Sequence, residues 1–345
     1  MKIGKIDRHT FSSVILKRLG NEDGRVIVPP APGIDAGVID IGQGKVLLVA
    51  EDPIFAIPGQ PLEMFGWYTV HIGASDIAVM GVKPQFMTYS LLMPPEFSKE
   101  DFMTVVDSID RAARDLGIAI VGGHTGHYPG FAAPTIGGIT VFAISERDGY
   151  VTPAGARPGD EVILTKGPAI ETAGILSVMR GADLRAVYPD TLVDRAQRLT
   201  YRMTVVDDAL TAFASGGVTA MHDATEGGVI GALYEIAEAS GVGMKIEESR
   251  FIYPPEVEMV CEYFGIDPVA AIAEGSLLIT AGPGFSGRII NNLEKAGIPA
   301  SVIGVVTGNP EERWLIRKNG RKERLAMPEQ DPFWPVFFES VMGNA

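Results

Sequence analysis

The chain has 345 residues, with 29 lysines and arginines against 43 aspartates and glutamates, and a formal net charge of −14. Its 46% hydrophobic and 21% charged residues are ordinary for a globular protein and exclude wholesale disorder. One cysteine excludes a disulfide framework and any multi-cysteine zinc site. The acidic balance disfavours nucleic-acid binding, which needs a basic surface.

Composition suggests where in the cell the protein resides, and length suggests how many domains it has. No apolar run approaches the roughly 18–20 residues that span a bilayer, so no membrane association is expected. The first residues lack the apolar core of a signal peptide, and we expect a cytoplasmic protein. The chain is longer than a single hydrophobic core usually supports. Glycine, proline and charged residues are concentrated at residues 147–159. We therefore expect two domains, 1–150 and 151–345.

The first half alternates strands and helices. Apolar residues at helical spacing predict a helix over 8–19, and a glycine-containing turn predicts a hairpin of strands 37–41 and 45–50. An apolar stretch predicts a buried helix over 61–80, and Ser98 is placed to cap a helix that ends near residue 116. Further strands are predicted at 85–93, 118–121 and 136–144.

The second half repeats this alternation. Strands are predicted at 161–166, 218–221, 243–247, 276–281 and 301–306. Helices are predicted at 172–179, 228–240, 257–264 and 286–296. Asn319-Gly320 predicts a hairpin between strands 314–318 and 321–325. Its basic side chains are expected to form a solvated strand pair, and Cys261 is expected to be a packed apolar residue.

Acidic residues recur where strands end or helices meet turns, as at Asp35 and Asp52. Asp76 is distinct because it lies inside an apolar predicted helix. A buried carboxylate without a partner costs several kcal/mol, so Asp76 needs a backbone cap, a basic side chain or a metal ion. From this residue alone, a structural hydrogen bond is as good an interpretation as a functional one.

Two glycine pairs offer main-chain N–H groups to an anion. Gly122-Gly123-His124-Thr125 follows a predicted strand, and a phosphate site there competes with the commoner tight turn. The segment from Asp223 through Thr225 to Gly227-Gly228 opens a predicted helix, where anion binding and plain capping are equally good interpretations. His124 and His127 allow a minor alternative, a zinc site.

Taken together and in order, these segments resemble the AIR synthase superfamily, and within it the hydrogenase maturation factors of the HypE type. The likeness covers nearly the whole chain. It is carried by Lys5 and by the motifs Gly33-Ile34-Asp35-Ala36-Gly37, Glu51-Asp52-Pro53-Ile54, Ala74-Ser75-Asp76-Ile77-Ala78, Gly122-Gly123-His124-Thr125, Asp223-Ala224-Thr225-Glu226-Gly227-Gly228 and Glu274-Gly275.

The resemblance implies a two-domain α+β fold of the PurM type. Its N-terminal domains would pair between two chains into a dimeric β-barrel, and its C-terminal domain would be an α/β sandwich. The cofactors implied are ATP and Mg²⁺, with the cation held by Asp35, Asp52 and Asp76. The implied ATP-binding residues are Gly122, Gly123, Thr125, Asp223, Thr225, Gly227 and Gly228, and the implied catalytic residues are Lys5, Asp76 and His124.

The implied reaction is phosphoryl transfer from ATP to an oxygen, often of an amide, in a small-molecule or protein-borne acceptor. Three departures bear on it. The sequence over 339–345 has no cysteine, whereas HypE carries one there for the carboxamide it dehydrates, so dehydration by that route is not expected. His124 stands where the family usually has an acid, and Glu226 replaces a basic residue.

Alternatives therefore remain open. A nucleotide-binding scaffold that has lost catalysis would act through protein partners. AIR synthase and thiamine-monophosphate kinase activities belong to the same class as the leading hypothesis. A protein centred on zinc at His124 and His127 is a third possibility, and ATP turnover or stoichiometric zinc would distinguish these hypotheses.

Overall fold

A computed structural model describes residues 4–342 and places one β-sheet in each half of the chain. The first sheet contains β1 (Val26–Val28), β2 (Gly37–Gly42), β3 (Lys45–Phe55), β4 (Phe86–Met93), β5 (Ala119–His127) and β6 (Thr135–Glu146). Their spatial order is β1-β2-β3-β6-β4-β5, and only β4 and β5 run parallel. β5 is therefore an edge strand.

The helices of this half are α1 (Arg8–Thr10), α2 (Leu62–Ala78) and α3 (Lys99–Leu116). α2 is buried between α3 and the sheet. An added Cβ at Gly66 would lie 2.6 Å from the Ser108 Cβ of α3, and one at Gly73 would lie 2.8 Å from the Ile139 side chain of β6. Small residues thus let α2 approach both neighbours, which is why an apolar helix of low amphipathicity fits here.

The second sheet contains β7 (Glu161–Thr165), β8 (Val218–Asp223), β9 (Gly243–Glu247), β10 (Leu277–Ala281), β11 (Ala300–Thr307), β12 (Arg313–Ile316) and β13 (Lys322–Arg324). Their order is β13-β12-β9-β11-β7-β10-β8. The helices of this half are α4 (Ile170–Met179), α5 (Gly181–Arg185), α6 (Asp190–Arg198), α7 (Val206–Ala214), α8 (Gly228–Ala239), α9 (Pro255–Phe264), α10 (Ser286–Lys295) and α11 (Phe333–Met342).

The two halves pack against each other through α2 and the turn that follows it. One continuous core cluster includes buried residues of both. An added Cβ at Gly81 would lie 2.6 Å from the Phe213 ring of α7, and His71 Nδ1 lies 3.1 Å from Thr204 Oγ1. The sheets are joined by residues 147–160, and the expected boundary at 150/151 falls in that segment. The C-terminal end of α2 consequently faces the second domain.

Most predicted elements are confirmed. The hairpin of β2 and β3 forms, and so does the β12–β13 hairpin around Gly320. Ser98 caps α3 by accepting the Asp101 N–H at 3.0 Å. The described helices include none with the length and apolar character to cross a membrane.

Two predicted elements differ from the structure. The helix expected over 8–19 is wrong, because α1 passes at once into a π-turn over Phe11–Ile15, where the Leu16 N–H donates to the Phe11 carbonyl. The strand expected at 118–121 continues to His127. Parallel pairing with β4 carries it through the glycines that had suggested a turn.

Candidate active site at the domain junction

Carboxylates from both domains meet beside the C-terminal end of α2. We call them the acid cluster: Asp35, Asp52 and Asp76 from the first domain, and Asp223, Glu235 and Glu274 from the second. Asp52 and Asp76 lie close enough for each carboxyl to shift the pKa of the other. Ligand atoms of Asp35, His222 and Asp223 all lie within 4.8 Å of one another. The three aspartates expected to hold a metal thus lie in one site, together with acids that the sequence analysis did not assign to it.

His222 links two of these acids. The ring is buried, with Nδ1 2.9 Å from Asp35 Oδ2 and Nε2 2.9 Å from Glu235 Oε2. Burial lowers the pKa of His222, but the charges and hydrogen bonds of Asp35 and Glu235 raise it well above its ordinary value. A ring that faces a carboxylate at each nitrogen carries both protons. His222 is therefore an imidazolium, and its Nδ1–H donates to Asp35 and fixes the orientation of that carboxylate.

The remaining charges of the cluster repel one another. Burial raises the pKa of Asp35 to about 6, although His222 opposes the shift. Burial, followed by the charges of Asp52 and Asp223, raises the pKa of Asp76 well above its ordinary value. A divalent cation would offset this repulsion, and Mg²⁺ prefers oxygen ligands of this kind. The donor set fits Mg²⁺, with Asp35, Asp52, Asp76 and Asp223 as the residues that would hold it.

Two buried glutamates, the cluster member Glu274 and its neighbour Glu171, join the second domain to α2. Glu274 Oε1 accepts a hydrogen bond from Ser75 Oγ at 3.1 Å, which joins the second domain to α2 next to Asp76. Glu171 Oε2 accepts the Glu274 N–H at 3.0 Å. Burial raises the pKa of Glu171 to about 7 and that of Glu274 well above its ordinary value. The sequence alone assigned no role to either residue. The only feature that could have indicated one is their position, since Glu171 directly precedes a predicted helix and Glu274 lies just before a predicted strand.

Lys5 supplies a positive charge at the mouth of the cluster. Its Nζ donates to Thr225 Oγ1 at 2.9 Å, and its main-chain N–H donates to Glu226 Oε2 at 2.8 Å. Desolvation lowers the pKa of Lys5, but the carboxylates, with Glu235 and Asp223 foremost, raise it above its ordinary value. The structure therefore brings the predicted residues Lys5 and Thr225 to the same place as the predicted metal aspartates.

The glycines before α8 are held by hydrogen bonds and close packing within the chain. The Gly227 N–H donates to Asp331 Oδ2 at 2.8 Å, and the Gly228 N–H donates to the Thr225 carbonyl at 2.9 Å. An added Cβ at Gly228 would lie 2.5 Å from the Ala271 carbonyl oxygen. Both N–H groups donate within the chain, and the phosphate-binding role expected of these glycines stays a prediction. These glycines permit a tight turn and close packing.

Gly122, Gly123, His124 and Thr125 lie on β5, exposed at the sheet edge and separated from β3 by β4 and β6. Among the described contacts, none joins them to the acid cluster. His124 Nε2 lies 2.5 Å from the Tyr128 hydroxyl, and His127 Nδ1 lies 2.9 Å from the Pro94 carbonyl. Side chains three apart on a strand point to opposite faces, so the zinc alternative gains no support within residues 4–342. The ATP-binding and catalytic roles assigned to this segment stay predictions.

Gly123→Ala is expected to destabilise the first domain far more than Gly122→Ala. Gly123 has φ +145°, and an added Cβ would lie 2.2 Å from the Tyr89 carbonyl oxygen of β4. At Gly122 the nearest atom would be a Thr88 methyl at 3.5 Å. Urea unfolding should show a loss of about 2 kcal/mol or more for the first variant and about 0.5 kcal/mol or less for the second. Equal losses would contradict the close strand approach.

Fold and site together define a class: a two-domain α+β protein with a carboxylate-lined site at the domain junction. The chain belongs to the AIR synthase related family. Residues 33–155 match the AIR synthase related protein, N-terminal domain, and residues 157–316 match the C-terminal domain. The predicted superfamily and its PurM-like fold are thereby confirmed.

Individual relatives are similar over much of the chain. A carbamoyl dehydratase HypE from Cupriavidus necator is 30% identical over 256 residues, which cover 71% of this chain and 68% of that protein. A chain in a crystal structure of a HypE–HypF complex has a TM-score of 0.72 at 22% identity, covering 92% of this chain and 99% of that one. A HypE in complex with ATP has a TM-score of 0.68 at 20% identity, with coverages of 96% and 97%.

Proposed function

We propose that this protein is an ATP- and Mg²⁺-dependent enzyme that transfers a phosphoryl group from ATP to an oxygen of an amide-type acceptor. The observation that carries the proposal is the acid cluster, which gathers carboxylates of both domains opposite the Lys5 ammonium. The 30% identity to a carbamoyl dehydratase HypE and the shared fold of a HypE bound to ATP support the same class.

The proposed roles divide among the chain's own residues. Asp35, Asp52, Asp76 and Asp223 would hold Mg²⁺, which when bound neutralises charge on the phosphate oxygens. Lys5 donates from its ammonium to the same phosphates. His222, held between two carboxylates, keeps Asp35 oriented. Phosphoryl transfer needs chiefly positioning and charge neutralisation, and Lys5 together with the Mg²⁺ that the acid cluster would hold supplies both.

The acceptor is proposed to come from outside the described residues. The one cysteine, Cys261, is 2% exposed in α9, and burial raises the pKa of its thiol to about 12. No cysteine within residues 4–342 therefore presents a thiol at the acid cluster. The expectation that no cysteine is present over 339–345 includes residues 343–345, which lie outside the described residues. A small molecule or a group borne by a partner protein fits, and the HypE–HypF complex of a similar fold supports a protein partner.

A homodimer is part of the proposal. β5 is a nine-residue edge strand that exposes two large apolar side chains, Ile120 at 40% and Val121 at 55%. A long exposed edge of this kind favours pairing with another strand. Pairing of two such edges would extend the two sheets into the expected dimeric barrel. It would also cover the exposed segment 122–125.

Val121→Glu is expected to weaken self-association at least about tenfold, because the new charge would be buried at the paired edge. Multi-angle light scattering over a dilution series measures the change. Met103→Glu, at an exposed position on α3, is the control and should leave the mass unchanged. A monomeric parent, or a Val121→Glu variant as dimeric as the parent, would contradict the dimer.

Phosphate and ADP release from ATP in the presence of a panel of carboxamide acceptors tests the catalytic proposal. Acceptor-dependent turnover that requires Mg²⁺ is expected, and the Asp76→Asn variant serves as the blank. Mg²⁺-dependent nucleotide binding without turnover across the panel would instead favour the scaffold alternative.

A further inference from the structure

The N-terminal segment reaches across to the second domain, where an acidic side chain holds its first residues. We call residues 4–8 the N-terminal strap. The Lys5 N–H donates to Glu226 Oε2 at 2.8 Å. The neighbouring Gly4 has φ +112°, and an added Cβ there would lie 2.1 Å from Glu226 Oε1. Both oxygens of the Glu226 carboxylate therefore lie against the strap backbone.

A second attachment fixes the other end of the strap. Arg8 Nη1 lies 2.6 Å from Glu238 Oε2, and its guanidinium stacks over the Tyr234 ring at 5.5 Å. Glu226 lies just before α8, whereas Glu238 lies in its last turn. The strap is thus anchored at both ends of α8. Lys5 lies at the end nearer the acid cluster, with its ammonium on Thr225.

We propose that Glu226 is a positioning residue whose carboxylate holds the strap and so places the Lys5 ammonium over the acid cluster. This inference rests on the proposed function, in which Lys5 faces the phosphates of ATP. It also gives a reason for the glutamate at position 226, where the family motif has a basic residue. A basic side chain at 226 could not accept the Lys5 N–H, whereas a carboxylate can.

The physical gain is preorganisation. An exposed lysine in an unanchored segment samples many conformations, and ordering its backbone and side chain costs conformational entropy. A charge-assisted hydrogen bond from the Lys5 N–H to Glu226 meets part of that cost before nucleotide arrives. Because Glu226 bonds the main chain and not Nζ, the ammonium keeps donors free for a phosphate.

Amine acetylation of the full chain without nucleotide, read by mass spectrometry at Lys5, tests the anchoring directly. Glu226→Ala should raise the Lys5 labelling rate about fivefold, and Glu226→Gln, which keeps an acceptor oxygen, should change it less than about twofold. Gly4→Ala should act like Glu226→Ala. Gly20→Ala is the matched control, because Gly20 also has positive φ but no atom within 4 Å of an added Cβ. Unchanged labelling in both Glu226→Ala and Gly4→Ala would overturn the proposal.

A double-mutant cycle on the affinity for a Mg²⁺-loaded non-hydrolysable ATP analogue tests whether Glu226 acts through Lys5. Lys5→Ala and Glu226→Ala should each weaken binding about tenfold, and the double variant should bind like Lys5→Ala alone. Additive losses, or tighter binding by Glu226→Ala, would show that Glu226 acts on nucleotide directly and would overturn the proposal. Absence of binding by the parent would refute the proposed function, whereas the labelling test would still decide the anchoring.

Discussion

Asp76→Asn is expected to weaken binding of Mg²⁺·ATP at least about tenfold, or about 1.4 kcal/mol, without unfolding the protein. Asp76 lies within the acid cluster, in the field of Asp52, Asp223 and Asp35. The amide keeps the shape but removes the charge that a cation would neutralise. Isothermal calorimetry with a non-hydrolysable analogue measures the loss.

The same substitution should leave the melting temperature of the metal-free protein unchanged or raise it. The pKa of Asp76 lies well above its ordinary value, so its ionised form destabilises the fold in the absence of a cation. Asp110→Asn, on the exposed face of α3, is the control for loss of one carboxylate. Parent-like nucleotide affinity in Asp76→Asn would refute the metal-binding role of Asp76.

The metal-free protein is expected to lose stability as the pH rises from about 5 to 8. The pKa of Glu171 rises from an ordinary 4.5 to about 7, and that of Asp35 rises from 3.8 to about 6. Each of these pKa values is higher in the folded state than in the unfolded state. At a pH between the unfolded and folded values, the folded state therefore binds more protons than the unfolded state. The free energy of unfolding therefore falls through this window, by about 3 kcal/mol for Glu171 alone.

Urea unfolding in the presence of a chelator at pH 5.5 and pH 8 measures this effect. Added Mg²⁺ should restore stability at pH 8, because it neutralises the acid cluster. Glu171→Gln should flatten the pH dependence and still respond to Mg²⁺, since Glu171 is not among the proposed ligands. A stability that rises with pH in the parent would contradict the raised pKa values of these buried acids.

The sequence predicts the fold well where the local pattern and the tertiary packing agree. The β2–β3 hairpin, α2 and the cap at Ser98 all follow from local pattern, and the structure has them. The helix over 8–19 fails because the chain passes into a π-turn after α1. The extent of β5 is missed because pairing with β4, which local sequence does not report, carries the strand through Gly122 and Gly123.

The site is predictable in part for a similar reason. A carboxylate inside an apolar helix identifies Asp76 as a residue that needs a partner, and the resemblance adds Asp35 and Asp52. Glu274 reaches Ser75 across 199 residues of sequence, and such a contact leaves no local signal. Gly228 has a structural role that local sequence also does not report, because its lack of a Cβ admits a main-chain approach from residues 269–271.

Calorimetric titration of the purified protein with a non-hydrolysable ATP analogue, with and without Mg²⁺, tests the central claim most directly. The acid cluster repels a nucleotide's phosphates unless a cation intervenes, so binding should require Mg²⁺ and should be absent or at least about a hundredfold weaker in chelator. Equal affinity in both conditions, or no binding in either, would contradict an ATP·Mg²⁺ site at the domain junction.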